Sequence, residues 1–151
     1  MKTITPTELA SAFDELRASL GQDFQLDEDG SCLLLYKNEL PILIQYIEQD
    51  GRLVFSSEFR SGLEKAPESE WIKLLSLDWL GIQSRGCAFS PDFAVGVIHI
   101  WRDAKLDQVT GHDLEEAIAD FVSEVIAARK VADSEPAAET STDSIPFLNK
   151  A

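Results

Sequence analysis

Histidine, cysteine and basic side chains are all scarce in this chain, and each scarcity removes a class of function. Two histidines, His99 and His112, and two cysteines, Cys32 and Cys87, occur in 151 residues. Structural zinc needs Cys or His in closely spaced pairs, a spacing not found here. Nucleophilic catalysis needs a Cys or Ser beside a base and an orienting group. His99 falls mid-strand among Val97, Ile98 and Ile100, and His112 falls in the first turn of a helix. A dyad of Cys32 or Cys87 with His99, the basis for a small thiol-dependent enzyme, remains open, but no motif marks it. P-loop, dinucleotide-binding and nucleophile-elbow signatures are missing. Asp27-Glu28-Asp29-Gly30 lacks the alternating oxygen ligands and terminal Glu of a calcium loop and reads as a turn. The expectation is a protein that is not an enzyme, with no catalytic, cofactor-binding or metal-binding residues.

Thirteen bases face 27 acids, for a formal net charge of −14 and a pI near 4.4. Removing 131–151, which hold four acids and one base, leaves −11 on the rest. Such a field repels nucleic acid and anionic lipid, so neither is expected as a partner. No apolar run approaches the roughly 20 residues that span a bilayer. The start, MKTITPTELASAF, has neither the basic stretch nor the long apolar run of a signal peptide. A reducing, cytoplasmic location with free thiols is therefore expected. Acidity serves solubility, or it offsets apolar surface that awaits a partner; composition leaves both open.

What is present is a chain with 44% apolar residues, long enough for one domain that buries about 68–70% of its unfolded surface. Its most informative stretch is Leu26 to Phe59. Cys32–Tyr36, Ile42–Ile47 and Leu53–Phe55 each have strand length, separated by Lys37-Asn38-Glu39 and Asp50-Gly51. Alternation puts Cys32, Leu34 and Tyr36 on one face and Leu33 and Leu35 on the other. Both faces are apolar, so something covers the second: helices of the same chain, or a guest polypeptide. A meander also leaves an edge strand with unpaired backbone groups.

Helices flank the meander. Thr5, Pro6 and Glu8 form a capping box with proline at the first helical position, and Ile4 and Leu9 form a hydrophobic staple. Leu9, Ala12, Phe13, Leu16 and Leu20 then make one stripe, ended by Gly21. A brief strand is expected at Phe24–Leu26. A second helix is expected from Pro67 to about Leu80. Its Trp71, Ile72, Leu74, Leu75, Leu77, Trp79 and Leu80 spread beyond the roughly 100° stripe of a surface helix. Either a second copy across a two-fold axis covers it, or it is buried within the monomer. A hairpin follows, with Gly86–Phe89, a turn at Ser90-Pro91-Asp92, and Phe93–Trp101. A third helix starts near Thr110 and carries Leu114, Ile118, Phe121, Val122, Val125 and Ile126 on one stripe. Residues 1–130 therefore read as one α+β domain, an antiparallel sheet in the order α-βββ-α-ββ-α. Residues 131–151 read as a disordered acidic tail, with Ile145-Pro146-Phe147-Leu148 as an apolar cluster in it.

This layout resembles the class I type III secretion chaperones of the Tir chaperone family. The resemblance rests on Asp27-x-Asp29-Gly30-x-Cys32-x-Leu34, on Asp50-Gly51 before Leu53-x-Phe55, and on the helix with Leu74-Leu75-x-Leu77. The hairpin Cys87–Trp101 and the closing helix complete it. The sequence Leu77-Asp78-Trp79-Leu80 lacks the Asn that follows the family's Leu pair. The resemblance implies a twisted antiparallel sheet with three helices and a homodimer in the bacterial cytoplasm. The expected partners are the N-terminal segment of a secreted effector, held non-globular, and a secretion ATPase that receives it. A general, non-secretory chaperone or adaptor is the alternative. On this reading Leu33, Leu35, Leu43 and Ile47 face the guest, with Leu16 and Leu20 at the margin; periodicity alone permits the reverse parity. Trp71, Leu74, Leu75, Trp79, Phe93 and Val95 are the expected dimer contacts.

Overall fold

A computed structural model describes residues 3–37, 40–77 and 86–134. The first helix, α1 (Pro6–Leu20), starts as its cap dictates. The Thr5 side chain accepts from the Glu8 amide, the Glu8 side chain accepts from the Thr5 amide, and Gly21 closes the helix in the left-handed conformation. The meander follows as β1 (Ser31–Tyr36), β2 (Leu40–Ile47) and β3 (Arg52–Arg60). Next come α2 (Glu68–Leu75), β4 (Ala88–Asp92), β5 (Val97–Asp103) and α3 (Gly111–Ser134).

The five strands form one antiparallel sheet in the order β1-β2-β3-β5-β4. Both helical stripes, from α1 and α3, pack on its inner face. Leu9 and Leu16 of α1 and Leu114, Ile118, Phe121 and Val125 of α3 are fully buried there with Leu34, Ile42, Ile44, Leu53, Phe55, Ile98 and Ile100. Phe55 and Phe121 meet at 5.8 Å between ring centres. Each such side chain contributes about 1.5–3 kcal/mol by leaving water, which is why one layer of helices suffices to hold the sheet. The helices approach closely where α3 begins: the Gly111 amide donates to Glu15 Oε2 at 2.7 Å. A Cβ at Gly111 would run into Glu15.

Four local expectations are corrected. Phe24–Leu26 is not a strand, because its backbone bonds go elsewhere: Arg17 takes the Phe24 carbonyl, and Asp27 bonds to Ser31. The hairpin turn is Phe93–Gly96, not Ser90-Pro91-Asp92. The Gly96 amide closes it on the Asp92 carbonyl at 3.0 Å, and Gly96 takes the positive φ of 70° that the turn requires. Ser90, Pro91 and Asp92 belong to β4, an edge strand. With the Asp92 carbonyl turned toward β5, alternation points the Pro91 nitrogen outward, where no N–H is needed. The helix of α2 spans Glu68–Leu75 only; Trp79 and Leu80 lie outside the described residues. Finally, α3 continues through Arg129 and Lys130 to Ser134, since Val131 and Ala132 extend its apolar stripe into the core. The remainder of the expected tail, with Ile145–Leu148, lies outside the described residues.

Candidate guest-binding face

The outer face of the sheet carries the candidate site. Pairing places Leu33 opposite Leu43, Leu43 opposite Ser56, Ser56 opposite Trp101, and Trp101 opposite Ala88. One row thus crosses all five strands, about 19 Å at the usual strand spacing. On one side of the row lie Gln45, Val54 and Asp103; on the other lie Glu58, His99 and Ser90. Apolar surface is concentrated at the β1–β2 end, where Leu33 is 68% and Leu35 42% exposed. Leu43 and Ile47 of β2 are partly exposed on the same face. Exposed leucines in mid-strand are unusual on a sheet whose other face is fully packed, and they mark a surface suited to another chain.

The strand parity agrees with the expected one in its centre. Leu34 and Ile44 are buried on the inner face, while Tyr36 and Tyr46 point the same way but sit half-buried at its rim. The Tyr46 hydroxyl donates to the Ile4 carbonyl at 2.7 Å, and burial, then Glu48 and Glu8, pushes its pKa up. Leu16 does not belong to the face. It is fully buried between α1 and the sheet, because the α1 stripe is the cover of the inner face. Leu20, at the end of α1, is partly exposed. Trp101 and Val54 were missed. The signal for Trp101 was its alternation with Ile98 and Ile100, which are both buried.

A second apolar patch sits at the far end of the molecule. Phe93 is 64% and Val95 52% exposed on the hairpin turn, and Ile72 of α2 is 59% exposed. Trp71 leans on Phe93 with ring centres 4.8 Å apart. The expected dimer contacts therefore divide. Phe93 and Val95 stand at the surface with Ile72, an apolar position of the second helix that the expected dimer contacts left out. Trp71 and Leu74 are buried within the protomer, and Leu75 is partly buried. The width of the α2 stripe is explained in part by its own core, not by a partner. Trp79 lies outside the described residues.

The thiols and the histidine point apart. Cys32 and Cys87 are both buried. Cys32 lies on the inner face, and Cys87 meets Glu124 of α3 at 3.5 Å, whereas His99 is exposed on the outer face. Burial, then the Asp27 charge, raises the pKa of the Cys32 thiol, which disfavours the nucleophilic thiolate. Glu124 also holds Arg102 at 3.0 Å. Around the Asp27 turn, the Asp27 carboxylate accepts from the Ser31 amide at 2.8 Å. Its hydrogen bond with Asp29, and then the Ser31 amide, hold it below the ordinary carboxylate range, and the same bond raises Asp29. Among the described residues no three His, Cys, Asp or Glu side chains gather as a metal site, and no helix is long and apolar enough to cross a membrane.

Comparison with known proteins follows the same outline. The model of the Tir chaperone protein (CesT) family matches residues 11–129. No curated protein matches the chain. Among solved structures, a chain of the ExsC–ExsE complex superposes with a TM-score of 0.68 at 18% identity, covering 90% of this chain and 99% of that one. A chain of the HopA1–SchA chaperone–effector complex gives 0.62 at 16% identity, with coverage of 84% and 98%. The Yersinia pestis type III secretion chaperone SycH, solved with a stable fragment of YscM2, gives 0.53 at 13% identity, with coverage of 80% and 98%. At these identities the superpositions speak for the fold: three helices on a five-stranded antiparallel sheet.

Proposed function

Because the chain belongs to the Tir chaperone protein (CesT) family, we propose that it binds the N-terminal segment of a secreted effector and keeps that segment soluble and non-globular. Delivery to the type III secretion apparatus, through its ATPase, completes the proposal. The supporting observation is the open β1–β2 end of the outer face, with Leu33, Leu35, Leu43 and Ile47 presented together. Ordering a disordered guest costs roughly 2–5 kcal/mol beyond ordinary association. Two or three guest side chains buried on those leucines offset it, at about 25 cal/mol per Å² of apolar surface. The acidic surface fits this work, since it keeps a chain with exposed leucines dispersed.

The working unit proposed is a homodimer in the bacterial cytoplasm, joined through Ile72, Phe93 and Val95. A second copy covers the same patch on its mate by symmetry. The test is co-purification from a native cell, followed by mass spectrometry, with Leu33→Asp/Leu35→Asp as the comparison chain. Recovery of one or two secreted polypeptides with the unaltered chain, and their loss with the double variant, is expected. Equal recovery of many unfolded clients by both chains points instead to a general chaperone that does not use this face.

A further inference from the structure

α3 outruns α1. The two helices lie side by side and run the same way, because Glu15 accepts from the Gly111 amide at 2.7 Å and, one turn on, the Ser19 hydroxyl donates to Glu115 at 2.8 Å. α1 ends at Leu20, abreast of the first turns of α3, and α3 continues to Ser134. Glu115, Ala119, Val122 and Ile126 fall on one stripe of that helix. α1 stands beside the start of the stripe; past its end a cleft of about 450 Å³ opens between α3 and the β1–β2 turn, lined by Tyr36, Leu40, Val122 and Ile126. Leu40 and Val122 are buried at it, and Ile126 is 43% exposed. Lys37 and Arg129 also line the cleft.

Charge and reach identify the occupant. Both charged residues of the cleft are basic, in a chain with 27 acids against 13 bases. Arg129 donates to the Glu58 carbonyl, and the Lys37 ammonium lies 5.4 Å from the centre of the Tyr36 ring; these are uncharged partners that leave the positive charge in place. The cleft therefore suits an apolar segment with acidic flanks. Residues 135–148 are such a segment: Glu135, Glu139 and Asp143 with no base, then Ile145-Pro146-Phe147-Leu148. Ile126 lies about 12 Å back along α3 from Ser134 at the usual helical rise. The eleven residue steps from Ser134 to Ile145 span up to about 36 Å, so the return is well within reach. We propose that this cleft seats the chain's own Ile145-Pro146-Phe147-Leu148, with Asp143 brought near Lys37 and Arg129. Tethering holds the segment at an effective concentration on the order of millimolar, so a contact too weak to hold a free peptide suffices. The seat is separate from Leu33 and Leu35, which lie on the other face of the sheet.

Amide NMR spectra of the full chain test the proposal. Phe147→Ser is expected to shift the signals of Leu40, Val122 and Ile126 and to leave those of Leu33, Leu35 and Val95 in place. Ile126→Asp, at an exposed site, is expected in turn to shift the signals of residues 145–148. A third measurement asks which copy supplies the segment: isotope-labelled Phe147→Ser chain is refolded together with an excess of unlabelled, unaltered chain. The cleft signals are expected to keep the positions of the variant. Cleft signals that ignore Phe147→Ser, or shifts that fall at the hairpin turn instead, overturn the proposal. A return to the unaltered positions in the mixture gives the cleft to the segment of a second copy and overturns the assignment to the same chain. No effector enters these measurements, so their outcome is distinct from that of the guest-binding test.

Discussion

Leu33 stands directly opposite Leu43 across the β1–β2 pairing, and both look away from the helices. Neighbouring Leu34, opposite Ile42, is almost wholly enclosed. A single step along β1 thus separates a residue that holds the fold from one available to another molecule. Substitutions at the two positions should separate stability from binding.

Leu33→Asp is expected to leave the melting temperature nearly unchanged and weaken effector binding roughly 10- to 100-fold, the worth of one fully buried leucine. Leu34→Ala instead removes enclosed methyl groups and costs about 2–5 kcal/mol of stability. Calorimetric melting and titration with the co-purified polypeptide measure the two effects. Binding that survives Leu33→Asp would move the guest off this face.

Phe93→Asp places a charge on the exposed turn beside Ile72 and Val95 and is expected to yield folded monomers in light scattering. Leu74→Asp buries a charge inside the protomer and should give unfolded or aggregated protein whatever the oligomeric state. A Phe93→Asp chain that keeps the dimer mass would exclude the hairpin turn from the contact.

Thr5→Ala removes the acceptor that holds the Glu8 amide. A loss of about 1 kcal/mol is expected, seen as a lower urea midpoint at unchanged slope. No shift would mean that water replaces the cap without loss.

Acid should loosen the start of β1 before the rest of the sheet. The folded state holds the Asp27 carboxyl below its ordinary value, through Asp29 first and Ser31 second. Its stabilising effect is therefore present above the ordinary carboxylate range and fades as pH falls through the lowered value. Asp29 is shifted the other way by the same bond, so its protonated form is favoured in the fold and part of the loss is cancelled. Arg17 and Cys32 are the other titratable groups coupled to this corner. The Ser31 amide shift, followed by NMR from neutral pH downward, should move in Asp27→Asn at no pH in this range.

Cys32 and Cys87 should resist alkylation in the folded chain and react only as it unfolds. Burial withholds both, and it raises the pKa of Cys32 besides. Fast labelling by iodoacetamide at neutral pH, at native far-ultraviolet ellipticity, would contradict the packing given for β1.

Much of this architecture was legible in the sequence. The cap at Thr5, the meander and the order of elements follow from local signals: a capping box, period-two alternation and Gly-containing turns. The two-sided apolar character of β1 was visible as well, and the structure puts Leu33 and Leu35 on the exposed side. What stayed hidden depends on tertiary context. Ser90-Pro91-Asp92 carries every mark of a turn, yet proline fits an edge strand whose nitrogen faces outward. Leu16 and Leu20 share one stripe, and only the position of the sheet shows the first enclosed and the second at the rim. Trp71 and Leu74 look like interface residues because the helix is apolar on most sides. The hairpin that folds back on Trp71 lies more than 20 residues downstream in the chain. The hold of residues 22–27 on the outward side of β1, by Gln22 on the Leu35 carbonyl and Asp27 on Ser31, has no sequence signature, since its bonds use one side chain and one turn.

Pro91 on one rim and Asp27 with Gln22 on the other have a bearing on how the molecule behaves in a crowd of its own kind. Neither border of the sheet offers an unbroken run of donors and acceptors, so copies have no easy way to stack strand upon strand into fibrils. On the function proposed above, a molecule that exposes leucines for a client can then accumulate ahead of that client without seeding the cross-β growth such surfaces otherwise invite.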